Sequence, residues 1–367
     1  MLTDSVKSWA NIAVDHSLTT YRDIATTHLQ LASRTISATG GFAGRQIDLV
    51  GSLLGAWADQ PVEQFDRHHS FAGNDGSPVE FSCAMTRSGA EVRLLFEPLD
   101  AGRPPRPSPE AGHRFVELLN KILAIDVSRF RVVADLFAGV PSAGSCSMLC
   151  SAALRTGGTP LFKVYMNPAV GEPRPHQVVG EAMSRLGLSE QWALVAEHLR
   201  DGLGSREQEV ALFALDLGDS AESRVKIYFR HGGRAPEQVE RVAGLSGDHQ
   251  PDLFTKILDR VYDVPVERLV KAPMTCLSFQ GDRRVPVSAT LYCPLDPNIS
   301  DDAEASTRVV DLLEMSGIAP EPFGALAGTI SGTDLACGRR LSWVSYKRPA
   351  DPVVTVYAGL DGSARVS

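Results

Sequence analysis

The hydrophobic pattern of the chain changes period near residue 73 and switches repeatedly afterwards. Before that point apolar residues recur at helical spacing over Val6 to Val14, Thr19 to Thr35 and Gln46 to Ala58, with no strand pattern between them. After the turn signal Gly73-Asn74-Asp75-Gly76, short runs that read as strands come in pairs. The predicted pairs are Val79 to Cys83 with Glu91 to Glu97, Arg131 to Phe137 with Leu161 to Met166, Val210 to Leu217 with Arg224 to Arg230, Thr275 to Gln280 with Ser288 to Tyr292, and Leu341 to Lys347 with Val353 to Tyr357. The Ser/Gly/Cys-containing stretch inside the second pair carries no assigned element. Helical patterns separate the pairs: Pro109 to Ile125, Gln177 to Leu186 with Glu190 to Leu203, Pro236 to Val242 with Asp252 to Tyr262, and Asp302 to Met315 with Glu321 to Ala327.

Helices followed by a hairpin therefore recur five times, and a unit that cannot bury its own apolar face joins its neighbours around a shared core. The spacing of the second strands supports the repeat. Tyr165, Tyr228, Tyr292 and Tyr357 follow one another at intervals of 63, 64 and 65 residues, and Leu95 takes the corresponding place 70 residues before Tyr165. Residues two apart in a strand share a face. One face of the second strands holds Arg93, Leu95 and Glu97; Lys163 and Tyr165; Arg224, Lys226, Tyr228 and Arg230; Thr290 and Tyr292; Thr355 and Tyr357. The other holds Val92, Leu94, Phe96, Val164, Met166, Val225, Ile227, Phe229, Leu291, Cys293, Val354 and Val356.

The apolar face must lie under the helices, which leaves the polar face to line something else. Ten antiparallel strands closed into a ring have no exposed edge and enclose room for a ligand. The fold class read from the pattern is α+β, a helix-jacketed ten-stranded barrel with a polar chamber. It is expected to form one domain over residues 1–367, with a helical part to residue 70 and the repeats over 78–357.

Composition narrows the function classes. Hydrophobic residues make up 43% and charged residues 22%, ordinary globular usage, and no apolar run approaches a membrane span. Asp4, Lys7 and Asp15 interrupt the start where a signal peptide needs an apolar stretch, so a cytoplasmic location is expected. A net charge of -8 argues against a broadly basic nucleic-acid surface. The six cysteines form no CxxC pair and read as reduced, buried thiols. Neither a GxxxxGK[ST] nor a GxGxxG phosphate loop occurs. Asp301-Asp302 has the look of an aspartate-rich metal motif but opens a helix, where N-capping explains it better, and His68-His69 lacks metal-ligand spacing. No metal site is expected.

What remains is the polar face. Arg93, Lys163, Arg224 and Lys226 converge from three strand pairs, and such cations repel one another unless an anion sits among them or carboxylates from neighbouring strands pair with them. A diphosphate suits forked Arg and compact Lys donors. Tyr165, Tyr228, Tyr292 and Tyr357 add hydroxyls and ring faces, which attract a cation through their quadrupole. Glu80, between apolar residues on the first strand, can accept a hydrogen bond from an acceptor N–H or pair with Arg93.

These residues resemble the aromatic prenyltransferases of the dimethylallyltryptophan synthase type, which are built from repeated αββα units. The resemblance rests on Pro78-Val79-Glu80-Phe81-Ser82, Arg93 with Phe96-Glu97-Pro98, Lys163-Val164-Tyr165, Arg224-Val225-Lys226-Ile227-Tyr228, Leu291-Tyr292-Cys293-Pro294 and Thr355-Val356-Tyr357. The compact chain is more similar to the bacterial members than to the longer fungal ones. The resemblance implies the barrel of that family, dimethylallyl diphosphate as co-substrate, an indole acceptor such as L-tryptophan or a tryptophan-derived metabolite, and no cofactor or required magnesium. It implies Glu80 as the indole N–H ligand, Arg93, Lys163, Arg224 and Lys226 as diphosphate ligands, and the four tyrosines as the shield of the allylic cation. Two pocket positions depart from the commoner fungal pattern: Thr290 where a longer amide often lies, and Trp343 where Tyr is usual. A phenolic acceptor in the same barrel, or a barrel that binds an anionic metabolite without catalysis, are the competing readings.

Overall fold

The computed structural model describes residues 20–36, 44–62, 70–139, 146–155, 158–172, 174–205, 207–218, 223–233, 235–331 and 338–359. The helix expected over Val6 to Val14 and the pair His68-His69 lie outside them. Two helices, α1 (Tyr21–Ile36) and α2 (Gly44–Leu53), precede the first hairpin of β1 (Val79–Thr86) and β2 (Gly89–Phe96). Then follow α3 (Pro109–Leu123), α4 (Ser128–Val133), and the hairpin β3 (Met148–Ala153) with β4 (Leu161–Met166). The third repeat is α5 (Pro175–Arg185), α6 (Ser189–His198), β5 (Glu209–Asp216) and β6 (Arg224–Arg230). The fourth is α7 (Pro236–Ala243), α8 (Leu253–Val261), β7 (Met274–Gln280) and β8 (Ser288–Pro294), and the fifth is α9 (Asp302–Met315), α10 (Glu321–Ser331), β9 (Leu341–Lys347) and β10 (Val353–Ala358).

The ten strands form one closed antiparallel barrel in which chain order is spatial order and β10 returns to β1, Ser82 lying opposite Tyr357. Closure leaves no strand edge unpaired. The outward residues form one continuous core with the helices, and the apolar face read from alternation lies wholly within it. Phe96 on β2 meets Phe115 on α3 edge-on at 5.0 Å. Burying such a ring stabilises the fold by about 1.5–3 kcal/mol. Gly112 lets α3 close on β3, because a Cβ there would stand 2.6 Å from Met148 Sδ.

One predicted strand is corrected. Arg131 to Phe137 is helical: α4 runs on into a 3-10 turn over Ala134–Phe137. Phe130, Val133 and Phe137 are buried at helical spacing while Val132 is 44% exposed. The adjacent β-branched valines imitate a strand run, but Phe137 docks by stacking on Phe213 of β5. The true partner of β4 is Met148–Ala153, in the unassigned stretch, whose Cys, Ser and Ala residues carry weak strand propensity. Tertiary pairing with Phe96, Leu94 and Met166 holds it extended.

Asp301 is the N-cap of α9 and accepts a 2.9 Å hydrogen bond from Glu304 N. Asp302 accepts from Leu341 N at 2.9 Å and from Arg340 N at 3.0 Å, fixing the start of β9. Both aspartates are structural, as the capping pattern predicts.

Candidate active site

Register sorts the inward residues of the barrel into layers. At one end Arg93, Lys163, Arg224 and Lys226 come together, as alternation requires, and Lys347 of β9 joins them opposite Thr290. Two carboxylates stand among these five cations. Glu91 accepts from Arg93 Nε at 2.6 Å, and Asp216 meets Arg224 Nε at 2.7 Å and Lys163 Nζ at 3.4 Å. Pairing with neighbouring carboxylates is therefore real for three of the four predicted cations, yet positive charge stays in excess. Burial would raise the Asp216 carboxyl, but Lys163, Lys226 and Arg224 hold it well below the usual range. Lys226 is 5% exposed, and burial, helped by Lys163 and Arg224, brings its ammonium down to about 7. Burial also drives Lys347 well below its ordinary value, with Lys226, Arg93, Arg224 and Lys163 all adding to the shift. A cluster with this excess of positive charge favours binding of an anion.

The next layer is a row of tyrosines. Tyr165, Tyr228, Tyr292 and Tyr357 sit on alternate strands, and successive ring centroids lie 5.9, 5.7 and 6.1 Å apart. Lys163 Nζ stands 5.6 Å from the Tyr165 ring, at the boundary between the layers. Burial raises the phenols of Tyr228, Tyr292 and Tyr357, so they stay neutral donors with intact ring faces. Leu95, Leu149 and Leu212 complete the wall. Thr290 is 2% exposed, and its Oγ1 is buried without a hydrogen-bond partner among the described residues. It faces Lys347 and Cys276 across the ladders.

Glu80 marks the opposite end. It pairs in register with Leu95, not Arg93, and is 4% exposed. Ser342 donates a 2.6 Å hydrogen bond to its Oε1. A bulge between Leu341 and Trp343 makes this possible: Leu341 belongs to the outer core, and the irregularity turns Ser342 inward beside Trp343. Burial raises the Glu80 carboxyl to about 7 against the opposing pull of Ser342 and Lys271. Lys271 Nζ lies 4.2 Å from the Trp343 ring centroid and donates to Asn74 Oδ1 at 2.6 Å. The predicted turn around Gly73-Asn74-Asp75-Gly76 is present, with Gly76 at φ 79° and Asp75 Oδ1 accepting from Ser77 N. Glu97, on the same face as Arg93, accepts from Ser70 Oγ at 2.8 Å and Phe71 N at 3.0 Å, tying down the segment that brings Ala72 against Leu149. Arg230 turns to Glu209 at 3.1 Å and is exposed.

The residues missed in the sequence lie on the first strands of the hairpins, apart from Lys271, which lies in the loop before β7. Trp343, Ser345 and Lys347 alternate on β9, so Lys347 was legible by the rule already applied to the second strands. Asp216 was legible in the same way on β5. Ser342 and Lys271 were not, because one depends on a bulge and the other on a loop.

A ten-stranded barrel of αββα repeats whose chamber carries cations at one end, a tyrosine row in the middle and a buried carboxyl at the other defines the class of aromatic prenyltransferase barrels. The family model for tryptophan dimethylallyltransferase matches residues 47–293, and the chain belongs to this family of indole prenyltransferases. It is similar to the 6-dimethylallyltryptophan synthase of Micromonospora olivasterospora, solved in complex with DMASPP and Trp, at 28% identity over 94% of this chain and 98% of that one, with a TM-score of 0.84. The prenyltransferase PriB, solved as a ternary complex with L-tryptophan and dimethylallyl thiolodiphosphate, matches at 25% identity, 94% and 97% coverage and a TM-score of 0.80. The 5-dimethylallyltryptophan synthase of Streptomyces coelicolor shares the fold at 23% identity, 95% and 99% coverage and a TM-score of 0.81.

Proposed function

We propose that this chain transfers a dimethylallyl group from dimethylallyl diphosphate to the indole ring of L-tryptophan or a tryptophan-derived metabolite. The observation that carries this reading is the one-chamber arrangement of cation cluster, tyrosine row and buried Glu80. Arg93, Lys163, Arg224 and Lys226, with Lys347, bind the diphosphate through charge-assisted hydrogen bonds. The C–O bond of the donor breaks and its electron pair leaves with the diphosphate. Tyr165, Tyr228, Tyr292 and Tyr357 shelter the allylic cation with ring faces and exclude water from it. Glu80 accepts the indole N–H and holds the ring against that cation, and Trp343 and Thr290 shape the pocket around acceptor and donor. A π pair of the indole forms the new C–C bond, and transfer of the ring proton to a base, for which Glu80 is the candidate, restores aromaticity.

Because side chains neutralise the leaving group, the reaction needs no magnesium in this reading. No helix among the described residues is long and apolar enough to cross a membrane. A cytoplasmic enzyme of one barrel domain suits small-molecule substrates of secondary metabolism. The test is product formation from dimethylallyl diphosphate with a panel of indoles and phenols in the presence of a chelator. Prenylated indole is the expected product. Turnover of phenols alone, or its disappearance with chelator, overturns the reading.

A further inference from the structure

Lys271 has a setting that the chemistry above leaves unused. Its backbone is pinned by Asn298, whose Oδ1 accepts from Val270 N at 2.8 Å and Lys271 N at 3.0 Å and whose Nδ2 donates to Lys271 O at 2.9 Å. Its Nζ is held over Trp343 by Asn74 Oδ1. The charge is thus placed at the Glu80 end of the chamber with two side chains fixing it, yet no carboxylate stands within ion-pair distance among the described residues. Of the two carboxylates that act on it, Glu80 accepts from Ser342 at 2.6 Å and Asp296 is engaged by Arg339 at 3.3 Å. An amide and an aromatic face orient an ammonium without neutralising it.

We propose that Lys271 is a specificity-determining residue that binds the α-carboxylate of an amino-acid acceptor while Glu80 takes the ring N–H. The assignment rests on the indole reading above. Two charges of opposite sign at one end of the chamber match the two polar ends of tryptophan, the N–H and the carboxylate. The Asn74 amide accepts one ammonium proton and leaves two for the substrate. The groups that act on Lys271 are Glu80 and Asp296, which favour its charge, and Arg230, which opposes it; burial outweighs them and lowers the ammonium to about 8. A bound carboxylate would restore the full charge. An acceptor without a free carboxylate, an ester, an amine or a lactam, gains nothing from Lys271.

The test compares wild type, Lys271→Met and Lys271→Arg with L-tryptophan, its methyl ester and tryptamine, using calorimetric binding of inorganic diphosphate to check the fold of each variant. Lys271→Met should raise KM for L-tryptophan at least tenfold and change KM for the ester and tryptamine less than twofold, with Lys271→Arg keeping most of the preference. Equal losses on all three acceptors overturn the assignment. A second measurement needs no variant: indole-3-propionate and its methyl ester as competitors of L-tryptophan on wild type. The inhibition constant of the acid should weaken several-fold as pH rises through about 8, and that of the ester should not. Parallel profiles overturn the proposal. A wild type that prenylates phenols and no indole refutes the acceptor reading itself and is distinct from either result.

Discussion

Ser342 and Glu80 are 262 residues apart in sequence and 2.6 Å apart in space. Their hydrogen bond spans the seam of the barrel, where β10 lies between β9 and β1. It favours the ionised carboxylate, while burial favours the acid, and the balance leaves Glu80 near 7. The ionised carboxylate is the stronger N–H acceptor. Activity with an indole should therefore rise with pH through about 7, measured as kcat/KM.

Glu80→Gln removes that titration, so its profile should be flat over the same range. The lost charge-assisted hydrogen bond is worth about 1.5–3 kcal/mol, or roughly 10- to 100-fold in kcat/KM. Ser342→Ala keeps the carboxylate but removes its donor. Its pH profile should move to higher pH with the maximum retained, a result that a merely structural serine does not give.

Lys347→Met should weaken binding of inorganic diphosphate by about 10- to 100-fold, the worth of one hydrogen bond to a charged group. Affinity for the indole should stay within about twofold, because the two ligands occupy opposite ends of the chamber. Titration calorimetry measures both. Unchanged diphosphate affinity removes Lys347 from the cation cluster.

Diphosphate binding should take up protons at pH 8. Burial and its cationic neighbours bring Lys226 to about 7, mostly neutral at pH 8, and a bound anion raises it again. Calorimetry in buffers of different ionisation enthalpy reads the proton count directly. Net release in place of uptake contradicts the cluster's charge state.

Glu97 should make the fold less stable as pH rises. Burial raises its folded carboxyl to about 7, against about 4.3 when unfolded, so between these values the native state holds the extra proton. Stability is then full below the unfolded value and declines through the folded one, by on the order of 3 kcal/mol. Glu97→Gln keeps an oxygen for Ser70 Oγ and Phe71 N and should abolish that part of the decline. Urea unfolding at pH 5 and pH 8 gives the comparison; Glu80→Gln should act in the same direction.

Much of this barrel was legible because strand alternation is local and exact in period: one tyrosine in each of four repeats, at intervals of 63, 64 and 65 residues, with Leu95 in the corresponding place of the first, fixed which side of the second strands faces inward. Lys163, Arg224 and Lys226 followed from the tyrosines, and Arg93 from its place two before Leu95. The misread Arg131 to Phe137 shows the limit of the same rule. Two adjacent valines satisfy a strand and a helix equally, and the docking of Phe137 on Phe213 decided between them.

The sequence by itself determined the repeat, the inner and outer faces and the chemistry those faces carry, since each depends on residues close together in the chain. Only the tertiary structure decided which groups share the chamber's two ends. Asp216 tempers the cations through cross-strand register, a bulge carries Ser342 onto Glu80, and a loop held by Asn298 sets Lys271 on Trp343. Those relationships are set by closing a ring of strands, and closure brings together residues that no local period connects.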